Sequence, residues 1–352
     1  MSPAKVSPPP ARIADADRRQ ADACADLVSL PVRHAHAAGI DVGDSTHWVC
    51  VESAPDGCDP VREFPAHTPG LRRLVEWLRA CGVTTVALEA SGVYGHVLFL
   101  TLIEAGFETV MTAPAFTRQI KGRPKTDRLD CQWIRRLHAH GLLPPIFQPD
   151  EATQALRDYV RQRANFVRLS GQHVQRMQKA LELMNLKLTK VLGDITGVTG
   201  LKIVRAILAG ERDPKALAAL RDRRCKSAAA EIADALDGRY RPEFVSELRH
   251  CLSLWEKYGE VVGELDAEIA AHLRTMTHQS DLPPLPAKPR VRGKKPHDPA
   301  FDVRTALSFV LGVDLTAVEG IDEVHALTLV SELGTDFTTW PTVGHFASRL
   351  GL

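Results

Sequence analysis

The sequence predicts an α/β domain over residues 36–150, followed by a mostly α-helical region. Three observations carry this. Short apolar runs bounded by turn residues come first, apolar stripes at helical spacing then alternate with further short runs, and a charged stretch poor in breakers follows residue 151. Ala38–Val42 reads as a buried strand, Gly43–Thr46 as a turn, and His47–Glu52 as a returning strand. A third strand follows in DGCDPVREFPAH. Thr68 is expected to cap a helix from Pro69 to Ala80, with Leu71, Leu74, Val75 and Leu78 as its apolar stripe. Thr84–Glu89 is a buried strand ending in a carboxylate. SGVYGHVLFLTLIEAG is a helix ending at Gly106, and Phe107–Thr112 a further strand. Antiparallel strands followed by strand–helix–strand are the order of an RNase H-like (RuvC-like) domain.

Composition narrows the possibilities. The 352-residue chain is 44% hydrophobic with a net charge of +1, so any polyanion binding must come from local clusters. Seven cysteines (24, 50, 58, 81, 131, 225, 251) include no CxxC pair and follow no secretory signal, which fits reduced thiols in a cytoplasm rather than a disulfide framework. No apolar run reaches the roughly 20 residues of a membrane span.

The domain organisation follows. Residues 1–35 are Pro-, Ala- and Arg-rich and are expected to be disordered. Residues 151–280 are helical: Leu156 and Val160, then Val167, Val174, Leu181 and Leu188 at seven-residue steps, predict a long coiled-coil-like helix through about Leu192. Shorter helices are expected at 202–209, 214–221 and 226–236, and another long one at 242–276. Residues 281–300 form a basic, Pro-rich linker, and 301–352 a partial helical C-terminal domain.

Four acids stand out. Asp41 interrupts an apolar strand and Glu89 ends another; a carboxylate in such a place is costly unless paired or metal-bound. Asp127 and Asp130 begin the helix KTDRLDCQWIRRL, and their i, i+3 spacing puts them on one face. Together these hard oxygen donors suit two magnesium ions and phosphodiester chemistry. Taken singly, each has a plainer reading, as a turn residue, a capping acid or a solvated pair.

Three stretches, GIDVGDSTHWVCV, ALEASGVYGHVLFLTLIEAGFETVMTAPAFTRQIKGRPKTDRLDCQWIRRLHAHGLL and VEGIDEVHALTLVSELGTDFTTWPTVGHFASRLGL, resemble the DEDD transposases of the bacterial insertion-sequence one-hundred-ten family. The resemblance implies a RuvC-like domain whose metal ligands are Asp41, Glu89, Asp127 and Asp130, a coiled-coil region, and a C-terminal domain with a nucleophilic serine. It also implies a homo-oligomeric DNA recombinase guided by a structured RNA. The expected serine position lies beyond FASRLGL, so the chain is expected to stop short of it, and Ser331 and Ser348 read as ordinary helix residues. On that expectation the apolar faces of HALTLVSELG and VGHFASRLGL lack partners.

Arg118, Lys121, Arg123, Lys125, Arg128 and Arg135 surround the Asp pair and are the candidate phosphate contacts. Further cations follow on the long helix (Arg157, Arg161, Arg163, Arg168, Arg176, Lys179, Lys187, Lys190) and in the linker. Trp133 and Trp340 read as core aromatics. Val318–Ile321 and the apolar run behind it resemble a helix-hairpin-helix. Competing readings are a non-catalytic nucleic-acid-binding remnant, a junction nuclease using the carboxylates alone, and an actin- or sugar-kinase-like phosphotransferase suggested by GIDVGDST. The last requires a second glycine-rich loop, which the sequence lacks.

Overall fold

The structure, a computed structural model, describes residues 30–117, 126–276, 285–286 and 297–350. The expectations for residues 1–29 and for most of the linker lie outside these. The chain forms two compact units, one ending at Phe147 and the other beginning at Gln148. Among the described residues no helix is long and apolar enough to cross a membrane.

The first unit is built on a five-stranded sheet: β1 (Ala37–Val42), β2 (Thr46–Cys50), β3 (Val61–Pro65), β4 (Thr85–Glu89) and β5 (Glu108–Thr112), in the order β3-β2-β1-β4-β5. β1, β2 and β3 pair antiparallel, whereas β4 runs parallel to β1 and to β5. This mixed sheet with flanking helices agrees with the expected RNase H-like order. Helices α1 (Thr68–Ala80), α2 (Val93–Glu104), α3 (Pro114–Thr117) and α4 (Asp127–Ala139) complete the unit. One cap differs from expectation: His67, not Thr68, is the N-cap of α1, its Nδ1 accepting from Gly70 N.

One face of the sheet buries Ile40, Val49, Val86 and Leu88 against Leu74 and Leu78 of α1 and Leu98 and Leu102 of α2. The other face carries α4. Gly39 makes that contact possible, because a Cβ there would lie 2.1 Å from Arg135 N and 2.6 Å from Cys131 O. At its far end α4 is fixed by His138, whose Nε2 shares a 2.8 Å hydrogen bond with Thr85 Oγ1 and whose ring stacks on His34. Residues 30–35, expected to be disordered, are tied to the same helix end: Arg33 N and His34 N both donate to Ala139 O.

The second unit is helical. α5 (Glu151–Leu183) and α10 (Pro242–Thr275) lie side by side over most of their length. Between them in sequence are α6 (Leu188–Val191), α7 (Val198–Ala209), α8 (Pro214–Ala219) and α9 (Ala229–Leu236), and beyond them α11 (Val303–Leu311), α12 (Glu323–Leu333) and α13 (Val343–Leu350). The long helix stops nine residues before the expected Leu192. Asn185 takes a left-handed φ of 57°, and Leu186 N returns to Leu181 O, the capping geometry that ends a helix. Leu188 therefore begins a separate turn and does not continue the seven-residue seam. One core joins the second half of α5 to α6–α9 and the start of α10. Another joins Leu156 and Val160 to Ile269 and Leu273 of α10, Val303 and Leu307 of α11, and Ala326, Leu327 and Val330 of α12. The face of HALTLVSELG thus has partners after all, and Arg157 donates to the last carbonyls of α12, Ser331 O and Glu332 O.

Two outcomes follow. Gly39→Ala should destabilise the first unit by about 2 kcal/mol or more, because the obstructing atoms are backbone; urea unfolding followed by tryptophan fluorescence measures this. Burial, with a smaller contribution from His34, pushes the pKa of His138 from 6.5 down to about 4. The folded unit holds the ring neutral while the unfolded chain takes up a proton. Stability is therefore complete above pH 6.5 and falls as pH drops from 6.5 toward 4, by up to about 3 kcal/mol. His138→Gln should flatten that slope in unfolding curves taken between pH 7 and 5.

Candidate active site

The carboxylates are positioned by strand register and by the direction of α4. In the parallel β1–β4 pair Ala37 faces Thr85 and Ile40 faces Leu88, so the next step sets Asp41 beside Glu89. Paired residues of neighbouring strands point to the same side about 4.8 Å apart. That side is the α4 side, since Gly39 and Thr85, an even number of residues away, both meet α4. Four residues of strand separate Thr85 from Glu89, about 13 Å. Eight residues of helix separate His138 from Asp130, about 12 Å. The first turn of α4 therefore comes level with the carboxyl ends of β1 and β4. In agreement, the Cys131 thiol is held far above its ordinary range by its hydrogen bond with Cys50, by burial, and further by the charges of Cys50 and Asp41.

Asp41, Glu89 and Asp130 are half-buried and Asp127 is exposed. Thr126 caps α4, its hydroxyl accepting from Leu129 N, so both aspartates occupy the first turn, where the helix dipole favours negative charge. Among the described residues, no three His, Cys, Asp or Glu side chains are gathered closely enough to hold a metal ion. The fold brings the four acids to one end of the sheet without closing a cage around one point.

Glu89 is held from behind. Thr117 Oγ1 donates to Glu89 Oε2 at 2.5 Å, and Trp133 Nε1 donates to Thr117 O at 3.0 Å. Trp133 is a buried core aromatic, as expected, and it also anchors this chain of contacts. Thr117 was not legible in the sequence, because nothing in APAFTR distinguishes a threonine that meets a strand end. Cys50 and Cys131 are a second unforeseen pair. Cys50 lies opposite Gly39, directly beneath α4, in hydrogen-bonding contact with Cys131.

The candidate phosphate contacts divide. Arg118, Lys121, Arg123 and Lys125 lie outside the described residues. Arg128 is exposed at the start of α4, with Nη2 reaching both carboxylate oxygens of Asp59 at 2.9 and 2.7 Å. Arg135 is mostly buried between β2 and α4 and pairs with Glu52; burial lowers its pKa. It is therefore a packing cation, poorly placed to meet a phosphate.

Residues 38–186 match the family model described as a transposase, of the DEDD type of IS110 elements. A curated protein of Sinorhizobium fredii that carries the name transposase y4qE is 31% identical over 144 residues. That stretch is 40% of this chain and 36% of the relative, so the alignment spans about a third of the relative's length.

The division of the arginines is testable. Arg128→Gln should cost less than about 1 kcal/mol, as an exposed pair does, whereas Arg135→Gln should cost about 2 kcal/mol. Denaturant midpoints of the two variants check the order.

Proposed function

We propose that this chain, whose residues 38–186 match the DEDD transposase model of the insertion-sequence one-hundred-ten type, cleaves DNA strands through its first unit with the help of divalent cations. The observation that carries this reading is the register that sets Asp41 beside Glu89 at the end of the sheet reached by the first turn of α4. All four candidates offer hard carboxylate oxygens. Magnesium keeps several waters and usually takes only one or two carboxylates besides substrate phosphate, so the donor set fits it without a closed cage. Asp41 and Glu89 would hold an ion from the strands, and Asp130 and Asp127 would hold it from the helix. When bound, such ions supply an activated water and charge stabilisation at the scissile phosphate. The chain's own contribution is orientation: Thr117 fixes one oxygen of Glu89, and the α4 dipole stabilises the aspartate pair.

DNA is the proposed substrate, a structured guide RNA and further copies of the chain the proposed partners, and the cytoplasm the proposed location, all by way of the family. Strand joining through a serine finds no candidate in Ser331, which is fully buried and donates to Thr328 O.

The test has two readouts. Calorimetric titration with manganese alone should show binding that Asp41→Asn with Glu89→Gln weakens at least tenfold. Nicking of plasmid DNA in magnesium should fall at least a hundredfold in Asp41→Asn, Glu89→Gln, Asp127→Asn or Asp130→Asn, with circular dichroism unchanged. Manganese binding and nicking that survive the substitutions would overturn the assignment.

A further inference from the structure

The outward face of α5 has a composition that a solvated helix rarely carries. No acid occurs between Asp158 and Glu182, while Arg161, Arg163, Arg168, Arg176 and Lys179 fall within that stretch. The neighbouring long helix, α10, carries the acids instead: Glu243, Glu247, Glu256, Glu260, Glu264 and Glu268. The structure then sorts the α5 cations. Arg163 is buried against Asp266, Arg157 is used on the carbonyls of α12, and Arg161 is paired with Glu332. Arg168, Arg176 and Lys179 are exposed and have no carboxylate partner among the described residues.

These three share one face with Gln172 and Gln175. At 3.6 residues per turn the five positions fall within an arc of about 100° and run about 16 Å along the axis. Gln172, Gln175, Arg176 and Lys179 border a shallow concavity of about 400 Å³. Arg168 Nη2 donates to Asn165 Oδ1 at 2.7 Å, which braces the guanidinium at the head of the stripe. An ordinary exposed helix gains from i, i+4 pairs of opposite charge. This one has forgone them and presents a row of cationic and amide donors, whose mutual repulsion is relieved when a row of anions meets it.

We propose that the α5 face formed by Arg168, Gln172, Gln175, Arg176 and Lys179 is a binding site for the phosphate backbone of a nucleic-acid strand. That the anion is a polyphosphate strand rather than an acidic protein rests on the function proposed above; that the face binds a polyanion rests on its charge and geometry alone. A run of about 16 Å accommodates several successive phosphates, and the glutamine amides can donate to phosphate or to base edges.

The experiment uses the full chain and fluorescence anisotropy with labelled duplex DNA, single-stranded DNA, an RNA hairpin and a poly-glutamate peptide, from about 50 to 200 mM salt. The variant is Arg168→Gln, Arg176→Gln and Lys179→Gln together. A control of equal charge change, Lys215→Gln, Arg249→Gln and Arg274→Gln, removes exposed cations elsewhere in the same unit. The α5 variant should lose at least tenfold in affinity for its preferred nucleic acid. Its slope of log affinity against log salt should fall by about two units on a single strand and nearly three on duplex DNA, as expected for three lost phosphate contacts. The control should change neither quantity by half as much. The DNA and RNA arms identify which strand the face prefers. Equal losses in the two triple variants, or tighter binding of poly-glutamate than of every nucleic acid, would overturn the proposal. The α5 variant should bind manganese in calorimetric titration as the unsubstituted chain does, so failure of the carboxylate reading and failure of this one are seen separately.

Discussion

The first unit depends on the approach of α4 to β1. A helix laid on a sheet ordinarily rests on side chains; here it rests on Gly39, with the backbone of Cys131 and Arg135 where a Cβ would be. The contact brings Cys131, Ile134 and His138 into the interior and fixes the level of the helix along the strands. Because helix and strand advance by different rises per residue, only one level puts the first turn of α4 at the ends of β1 and β4. The hydrogen bond between His138 and Thr85 holds that level from the other end. Placement of the acids is thus a consequence of packing made up to about 13 Å away.

Much of this was legible in the sequence because it follows from local rules. Asp41 and Glu89 were conspicuous as charges in apolar strands, and Asp127 and Asp130 as an i, i+3 pair at a helix start. The strand order followed from turns and alternation. What escaped notice depends on contacts between distant segments: the pairing of Cys50 with Gly39 that places it under Cys131, and the meeting of Thr117 with Glu89. The end of α5 was misjudged for a different reason. A seven-residue recurrence reports which residues are buried, and Leu188 is buried. It does not report a left-handed asparagine that turns the chain before the next apolar residue.

The arginines show the same limit in electrostatic form. A run of cations on a helix reads as one surface, yet burial assigns each a different fate. Arg163 is 7% exposed and Asp266 3%, and two desolvated charges are tolerated only with their remaining hydrogen-bonding groups met. They are met: Arg163 Nη2 donates to His297 O, and Ala300 N donates to Asp266 Oδ2. The pair thereby fastens residues 297–300 to α5 and α10 and fixes where α11 begins.

That fastening also explains why α12 is covered. Once α11 starts beside α10, the short turn at Leu315–Ala317 and Gly320, at φ 87°, bring α12 back onto α5, where Leu156 and Val160 cover its apolar face and Arg157 satisfies its last carbonyls. Arg157, Arg161 and Arg163, in the first half of α5, are consumed in securing the returning chain, and the exposed Arg168, Arg176 and Lys179 follow farther along the helix. The separation of structural from available charge on α5 is therefore set by how the later helices fold back on it. Net composition, at +1 for the whole chain, gives no hint of it.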